Sequence, residues 1–194
     1  MARPREFDPR ETLQTAIEVF WEKGYFNGSV DEVVKRSGVA KYGIYGTFGT
    51  KRELFIQALK QYSNDRRYDI QKPIHEPQAS LPQIRKFFEL APSIVMHLDS
   101  DRRGCLLCNS GVELGTNDIE TREIVDNFFA QLALTLKACL KRAKEHQEVA
   151  QDFAINSTAN FLATEFRALL MLASSGVALR DIESHVKFSL RVLD

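Results

Sequence analysis

The chain has 194 residues, of which 44% are apolar and 27% charged, and its formal net charge is zero. This length fits one domain or two small ones, and 13 Phe and 5 Tyr exclude a disordered chain because such side chains require burial. No apolar run is long enough to span a membrane, and no signal peptide is recognisable at the start. The number of cysteines is three, which is odd. Without an export signal, this number predicts reduced thiols in a cytoplasmic protein.

Apolar residues recur at i, i+3 and i+4 along the chain, whereas alternation with a period of two is not sustained anywhere. This pattern predicts an all-α fold. Pro73, Pro77 and Pro82 interrupt the periodicity and separate a predicted N-terminal domain, residues 1–72, from a C-terminal domain, residues 73–194. The first part is slightly basic and the second slightly acidic, which alone does not identify a partner.

Three capping-box motifs predict the starts of three helices in the first domain. They are Asp8–Glu11, Ser29–Glu32 and Thr50–Glu53. Gly24 and Gly38 are suited to end the first two helices. Between Gly38 and Thr50 there is room only for a tight turn and a short helix, 41–48. Such a pair has helix-turn-helix geometry, although most short helix pairs are ordinary core packing.

The residue types of the short helix favour DNA binding. Ile44 and Phe48 can anchor it to the core, while the opposite side offers hydroxyl and ammonium groups that suit phosphates and base edges. This side consists of Lys41, Tyr42, Tyr45 and Thr47. Gly43 and Gly46 each cost a helix about 1 kcal/mol relative to Ala, which indicates close approach of another molecule. Lys51 follows at a helix N-terminus, where a cation and free N–H groups can hold a phosphate.

Residues 10–59 resemble the DNA-binding domain of TetR-type transcriptional regulators. The resemblance is carried by Gly38-Val39-Ala40-Lys41, Ile44-Tyr45 and Phe48-Gly49-Thr50-Lys51. It implies an all-α homodimer that represses transcription until a small ligand binds the C-terminal domain. The expected contacts to double-stranded DNA are Ser29, Val30, Lys41, Tyr42, Gly43, Tyr45, Thr47 and Lys51, with Arg3 and Arg5 as a basic arm. Ala40, Tyr42 and Gly46 depart from the common family residues, so the resemblance does not predict the operator sequence.

The second domain is predicted to contain helices at about 80–98, 103–115, 118–146, 151–175 and 178–193. We expect the last two to pair with those of a second chain in a four-helix bundle. The expected dimer-interface residues are Leu169, Leu179, Ile182, Val186 and Leu190. An effector site is expected between the other helices, and the helix at 51–72 is expected to transmit its signal to the DNA-binding domain.

Cys105 and Cys108 are the most distinctive residues of the second domain. Because residues three apart share one face of a helix, both sulfurs can point to the same side. Their segment resembles a Gly-Cys-Leu segment of one branch of TetR-type regulators, in which some members sense electrophiles or oxidants through the cysteine that matches Cys105. A helix N-terminus with Arg102 and Arg103 would favour the reactive thiolate. Inert packing is the commoner role of a free cysteine, and a metal site with His97 is a further alternative. The predicted effector-site residues are Cys105, Cys108, Phe128, Phe129 and Phe161.

The leading function is therefore a DNA-binding transcriptional regulator that responds to a small effector. A helical protein-interaction module and a small thiol enzyme using Cys105 are the alternatives. The sequence contains no nucleophile elbow, phosphate-binding Gly loop or paired metal-carboxylate motif. We therefore expect no enzymatic activity, no cofactor and no metal.

Overall fold

The computed structural model describes residues 7–97 and 103–194, except for the side chains of residues 93–97, 173 and 174. The described chain is helical and contains no strand, which confirms the all-α prediction. The N-terminal helices are α1 (Pro9–Asn27), α2 (Val30–Ser37), α3 (Lys41–Phe48) and α4 (Lys51–Ile70). The C-terminal helices are α5 (Leu81–His97), α6 (Leu106–Leu114), α7 (Ile119–Glu145), α8 (Ile155–Ser174) and α9 (Leu179–Ser189), with short 3-10 turns at Lys72–His75 and Leu190–Leu193. Among the described helices, none has the length and apolar character that crossing a membrane requires.

The predicted N-terminal caps are present, but only one of them is a complete capping box. Thr50 Oγ1 accepts the N–H of Glu53 at 3.2 Å, and the Glu53 carboxylate accepts the N–H of Thr50 at 2.7 Å. At the start of α2, Ser29 caps the N–H of Glu32. The expected return bond is not made within the described chain, because the Glu32 carboxylate pairs with Arg36 at 2.9 Å. A nearby guanidinium thus outcompetes a backbone amide for this carboxylate.

Helix α1 is kinked at Gly24, where φ is 72° and ψ is 178°, and continues for three more residues to Asn27. The kink releases the N–H groups of the following residues from the helical hydrogen-bond pattern. Glu113 of α6 accepts the N–H groups of Tyr25 and Phe26, both at 2.9 Å. The kink is therefore tied to the C-terminal domain by one carboxylate.

Further contacts join the first four helices to the rest of the chain. Trp21 donates its indole N–H to the carbonyl of Gly104 at 2.8 Å, in a buried position. Arg52 of α4 holds both carboxylate oxygens of Asp118 at 3.0 Å. The expected domains therefore meet across a packed and hydrogen-bonded contact, and the boundary at residue 72 follows the end of α4.

The predicted dimer seam lies in the core of the protomer, which corrects the sequence prediction. Ile182, Val186 and Leu190 are buried by the chain's own α5 and α8, and Leu169 is buried as well. Only Leu179 of the predicted set is exposed. The apolar spacing of α9 identified a buried face correctly, but spacing alone does not reveal whether the covering helix belongs to the same chain.

Candidate DNA interface and thiol cleft

Helices α2 and α3 form the predicted helix-turn-helix. Gly38 ends α2 in the left-handed conformation with φ 70°, and α3 begins three residues later. Ile44 and Phe48 are buried and hold α3 against the core, as expected. The opposite face leaves exposed Lys41, Tyr42, Tyr45, Gly46 and Thr47. Tyr42 is 90% exposed, so its hydroxyl is available to a large partner.

The two glycines of α3 have different environments. A methyl group on Gly43 would lie 3.1 Å from a ring carbon of Phe7, so the space above Gly43 is used within the protomer. A methyl group on Gly46 would meet no described atom within 4 Å. The close approach of DNA to the α3 backbone that we expected at Gly43 is therefore possible at Gly46. The sequence analysis did not include Gly46 among the expected DNA contacts.

The remaining expected DNA contacts have partners inside the protomer. Val30 is buried in the core, and Ser29 caps α2. The Lys51 ammonium donates to the carbonyl of Phe26 at 3.2 Å and lies 4.8 Å from the centre of the Tyr25 ring. These contacts hold Lys51 beside the start of α4, where a phosphate would have to share or replace them.

Lys41 lies at the start of α3 and is paired with an acidic side chain of α2. Its ammonium is 2.7 Å from the Asp31 carboxylate, and this hydrogen bond raises the pKa of Lys41. Because both side chains are exposed, the pair is weak and a DNA phosphate can exchange with the carboxylate.

Cys105 and Cys108 form a thiol pair at the N-terminus of α6. Cys105 occupies the cap position, and Tyr62 of α4 donates its hydroxyl to the Cys105 sulfur at 3.9 Å. The hydrogen bond from the Cys108 thiol is the largest cause that lowers the pKa of Cys105 to about 7, and the N–H groups of Cys108 and Leu107 act in the same direction against burial. The same bond, together with burial, raises the pKa of Cys108. Ionisation is thus favoured at Cys105 over Cys108.

The cause of the low pKa differs from the sequence expectation. Arg103 donates to the Glu18 carboxylate at 2.8 Å and lies 4.4 Å from the centre of the Trp21 ring. Arg102 lies outside the described residues. Hydrogen-bond donors, including the Tyr62 hydroxyl, stabilise the Cys105 thiolate where we expected cations to do so.

The two thiols line separate cavities. Cys105 and Phe128 border a narrow cleft of about 20 Å³, together with Tyr62, Arg66, Ile70, Gly104 and Leu170. Cys108 borders an open groove of about 470 Å³, together with Asn109, Val112, Glu113, Met171 and Ser175. Of the five predicted effector residues, Cys105 and Phe128 border the same cleft.

Two of the predicted aromatic effector residues are not among those that border these cavities. Phe129 is buried against Phe128, with the Arg167 guanidinium 5.0 Å from the centre of its ring. Phe161 lies on α8 and is 41% exposed. Sequence reasoning missed Tyr62 and Arg66: the apolar spacing of α4 indicated that Tyr62 is buried, but nothing local indicated Cys105 as its neighbour.

The described side chains form neither a metal site nor a serine nucleophile. No group of three His, Cys, Asp or Glu residues within the described chain could hold a metal ion. Ser189 and His185 both bind the Glu165 carboxylate, at 2.8 and 2.6 Å. The serine thus donates to the carboxylate, whereas a nucleophile would donate to the histidine. Cys139 is buried, and its sulfur lies 3.4 Å from the carbonyl of Ile74.

Comparison with known proteins identifies relatives for both parts of the chain. Residues 13–58 match the model of bacterial regulatory proteins of the tetR family, and residues 80–185 match a tetracyclin repressor-like C-terminal domain. The chain is 31% identical to the uncharacterized HTH-type transcriptional regulator YezE of Bacillus subtilis, over 100% of both chains. It is 25% identical to the HTH-type transcriptional repressor DhaR of Mycobacterium sp., over 82% of this chain and 78% of that protein. Its fold is similar to that of a cysteine mutant of the TetR family regulator CifR bound to operator DNA, with a TM-score of 0.82, 23% identity, and coverage of 97% and 98% of the two chains.

Replacing Gly46 with Ala separates folding from DNA binding. Alanine should stabilise α3 by about 1 kcal/mol, because the new methyl group meets no atom of the described residues within 4 Å. The same methyl group should obstruct a closely approaching DNA backbone and weaken binding by about 1–3 kcal/mol, or roughly fivefold to 150-fold. Chemical denaturation and fluorescence anisotropy with labelled DNA measure the two effects. Gln131→Ala on the exposed side of α7 is the control, and undiminished DNA affinity of the Gly46→Ala protein would contradict the placement.

The Cys105 thiol should react at a lower pH than an ordinary cysteine. Because only the thiolate reacts, the rate of alkylation by iodoacetamide should rise with pH and reach half its maximum at about pH 7. Removing one donor with Tyr62→Phe should move this midpoint to higher pH. Mass spectrometry of the Cys105 peptide measures the rate, with Cys139, whose pKa is raised by burial, as the internal control. A midpoint near that of free cysteine would contradict the assigned hydrogen bonds.

Proposed function

Because the chain belongs to the TetR family of bacterial transcriptional regulators, we propose that it is a homodimeric repressor that leaves its operator when Cys105 is oxidised or its cleft is filled. The regulator is not an enzyme, and its DNA-binding face is the exposed side of α3. The observation that carries the proposal is the position of α6: Cys105 lies at the N-terminal end of this helix, and Glu113 of its last turn holds the kink of α1. A change at the thiols is therefore transmitted to the DNA-binding domain along one short helix.

Helix α6 offers a more direct route than α4, which we expected to transmit the signal. The nine residues of α6 connect the thiol pair to the backbone of α1. Helix α4 lines the same cleft through Tyr62 and Arg66, but it is anchored to α7 by Arg52 and also packs against α1, α3 and α5, whereas α6 packs against α1, α4, α7 and α8. Displacing α6 requires fewer contacts to change, so we assign the signal to α6.

The proposed oxidation uses a peroxide as the oxidant. The Cys105 thiolate attacks one peroxide oxygen, the O–O bond breaks, and a sulfenic acid and one water form after proton transfer. The Cys108 thiol then attacks the sulfenic sulfur, loses its proton and expels a second water. Two thiols and one hydrogen peroxide thus give one disulfide and two waters. Because the bond brings the two Cβ atoms to about 3.8 Å, the first turn of α6 must adjust to it.

Hydrogen peroxide should release the parent protein from DNA that flanks its own gene. A gel-shift assay measures release, and thiol counting by mass spectrometry measures oxidation of the same sample. Cys105→Ser should remain bound after peroxide, whereas Cys139→Ser should be released like the parent. Release of Cys105→Ser at the parental peroxide concentration would show that the thiol is structural.

The proposed dimer surface lies on the exposed sides of α8 and α9 rather than on the buried seam, with Phe188 as its anchor. Phe188 is 69% exposed although it is a large aromatic, and such residues are concentrated at the centres of interfaces. Two DNA-binding domains are needed to contact two half-sites, which lie about 34 Å apart when they are one helical turn apart.

Phe188→Asp and Val186→Asp should have different effects although they lie two residues apart. Phe188→Asp should leave the helical circular dichroism unchanged and shift sedimentation from dimer to monomer, because an aromatic anchor contributes about 2–4 kcal/mol to association. Val186→Asp should unfold the protomer, because it buries an unpaired charge in the core. A Phe188→Asp protein that remains dimeric at micromolar concentration would place the interface elsewhere.

A further inference from the structure

Arg66 is a partly buried cation without a carboxylate partner among the described residues. Its guanidinium lies 5.0 Å from the centre of the Tyr62 ring and 5.5 Å from that of Trp21. Its Nε is buried and forms no hydrogen bond within the described chain, a property that it shares with Arg67 and Arg103. Arg66 differs from these two in lining the cleft that contains Cys105. Among the described groups that line this cleft, the Cys105 thiolate is the one anion available to the guanidinium, and a carboxylate matches the planar guanidinium better.

Arg103 provides the comparison within the same structure. It also lies against Trp21, but its guanidinium is 2.8 Å from the Glu18 carboxylate and 3.9 Å from that of Glu22. Both arginines thus lie against the Trp21 indole. Arg103 is paired with two carboxylates of the chain, whereas Arg66 is paired with no described carboxylate. The cation left for a ligand is the one that faces the cleft.

We propose that the cleft binds a small carboxylate anion, whose carboxylate lies on Arg66 and whose short apolar body lies against Ile70, Phe128 and Leu170. The planar guanidinium matches a carboxylate in a two-point hydrogen bond, and the apolar lining favours a hydrocarbon body over a strongly hydrated phosphate. This inference rests on the proposed function in one respect, because both take the cleft as the effector site.

The size of the cleft explains how such a ligand would act. A volume of about 20 Å³ holds about one water molecule, so a ligand of several atoms must widen the cleft. The cleft lies between α4, which provides Arg66, and Gly104–Cys105 at the start of α6. Widening it separates these elements, and the ligand thereby favours the arrangement in which α6 is displaced.

A bound carboxylate also affects the thiol. A second negative charge beside Cys105 disfavours the thiolate, so ligand binding slows the reaction of this cysteine. The effect is reciprocal, because a protein whose Cys105 is ionised binds the anion more weakly. Protection of Cys105 therefore reports binding without any measurement of DNA.

The test compares propionate with propionamide, which has nearly the same shape but no charge. Intact parent protein is alkylated with iodoacetamide at pH 7, and the modified Cys105 peptide is quantified by mass spectrometry. Saturating propionate should slow alkylation about fivefold, as expected when a like charge raises the pKa of the thiol by about one unit. Propionamide should have no such effect. Equal protection by propionamide, or by inorganic phosphate, would overturn the proposed carboxylate specificity.

Variants of two neighbouring arginines assign the effect to Arg66. Arg66→Gln should abolish protection by propionate, and Arg66→Lys should retain part of it. Arg67→Gln is the matched control, because Arg67 lines a different cavity with Lys72 and His75. Each rate is compared with and without propionate for the same variant, so a change in basal reactivity does not affect the result. Unchanged protection in a folded Arg66→Gln protein would overturn the inference; if that variant does not fold, the comparison of propionate with propionamide on the parent decides.

A separate gel shift distinguishes this inference from the proposed function. If propionate protects Cys105 and the protein stays on DNA, the carboxylate site is correct and release by filling the cleft is wrong. If peroxide releases DNA and propionate gives no protection, the proposed repressor function stands and the carboxylate site is wrong.

Discussion

The position of the DNA-binding helices depends on the Glu113 carboxylate at the kink of α1. Gly24 has φ 72°, and a methyl group there would lie 2.8 Å from this carboxylate, so both the backbone angle and the close approach require glycine. The carboxylate accepts the two N–H groups that the kink exposes. Hydrogen bonds to a charged acceptor contribute about 1.5–3 kcal/mol each, enough to fix the end of α1 against α6. Since α2 packs on α1, the orientation of the DNA-binding face depends on the same contact.

A second charged contact attaches the first four helices to α7. Arg52 of α4 binds Asp118 and Glu120 at the start of α7, and Asp118 also caps α7 by accepting the N–H of Thr121 at 2.9 Å. The N–H of Thr121 is the largest cause that lowers the pKa of Asp118, so this carboxylate is fixed as an anion by its own helix. The first four helices are therefore attached at separate points to α6 and α7. In the proposed mechanism, movement of α6 relative to α7 would therefore strain these attachments and change the orientation of the DNA-binding domain.

Residues that interact with close neighbours along the chain were predictable, and residues that meet across the fold were not. The left-handed Gly38 and the buried Ile44 and Phe48 followed from caps and apolar spacing within a few positions. The use of Gly43 depends on Phe7, and the low pKa of Cys105 depends partly on Tyr62, 43 residues away. Val186 shows the same limit: apolar spacing marks a buried face, and only the packing of α5 and α8 identifies what covers it.

The shortness of α6 is what makes one cleft suited to two kinds of signal. A disulfide would draw Cys108 toward Cys105 and tighten the first turn, whereas a carboxylate on Arg66 would push that turn away from α4. Both changes displace the start of a helix whose other end is Glu113, about 12 Å away at the rise of an α-helix. A loop of the same length would absorb either change by altering its own dihedral angles. A hydrogen-bonded helix resists such changes beyond its first turn, so in the proposed mechanism displacement of the thiol end would strain the bonds of Glu113 to α1.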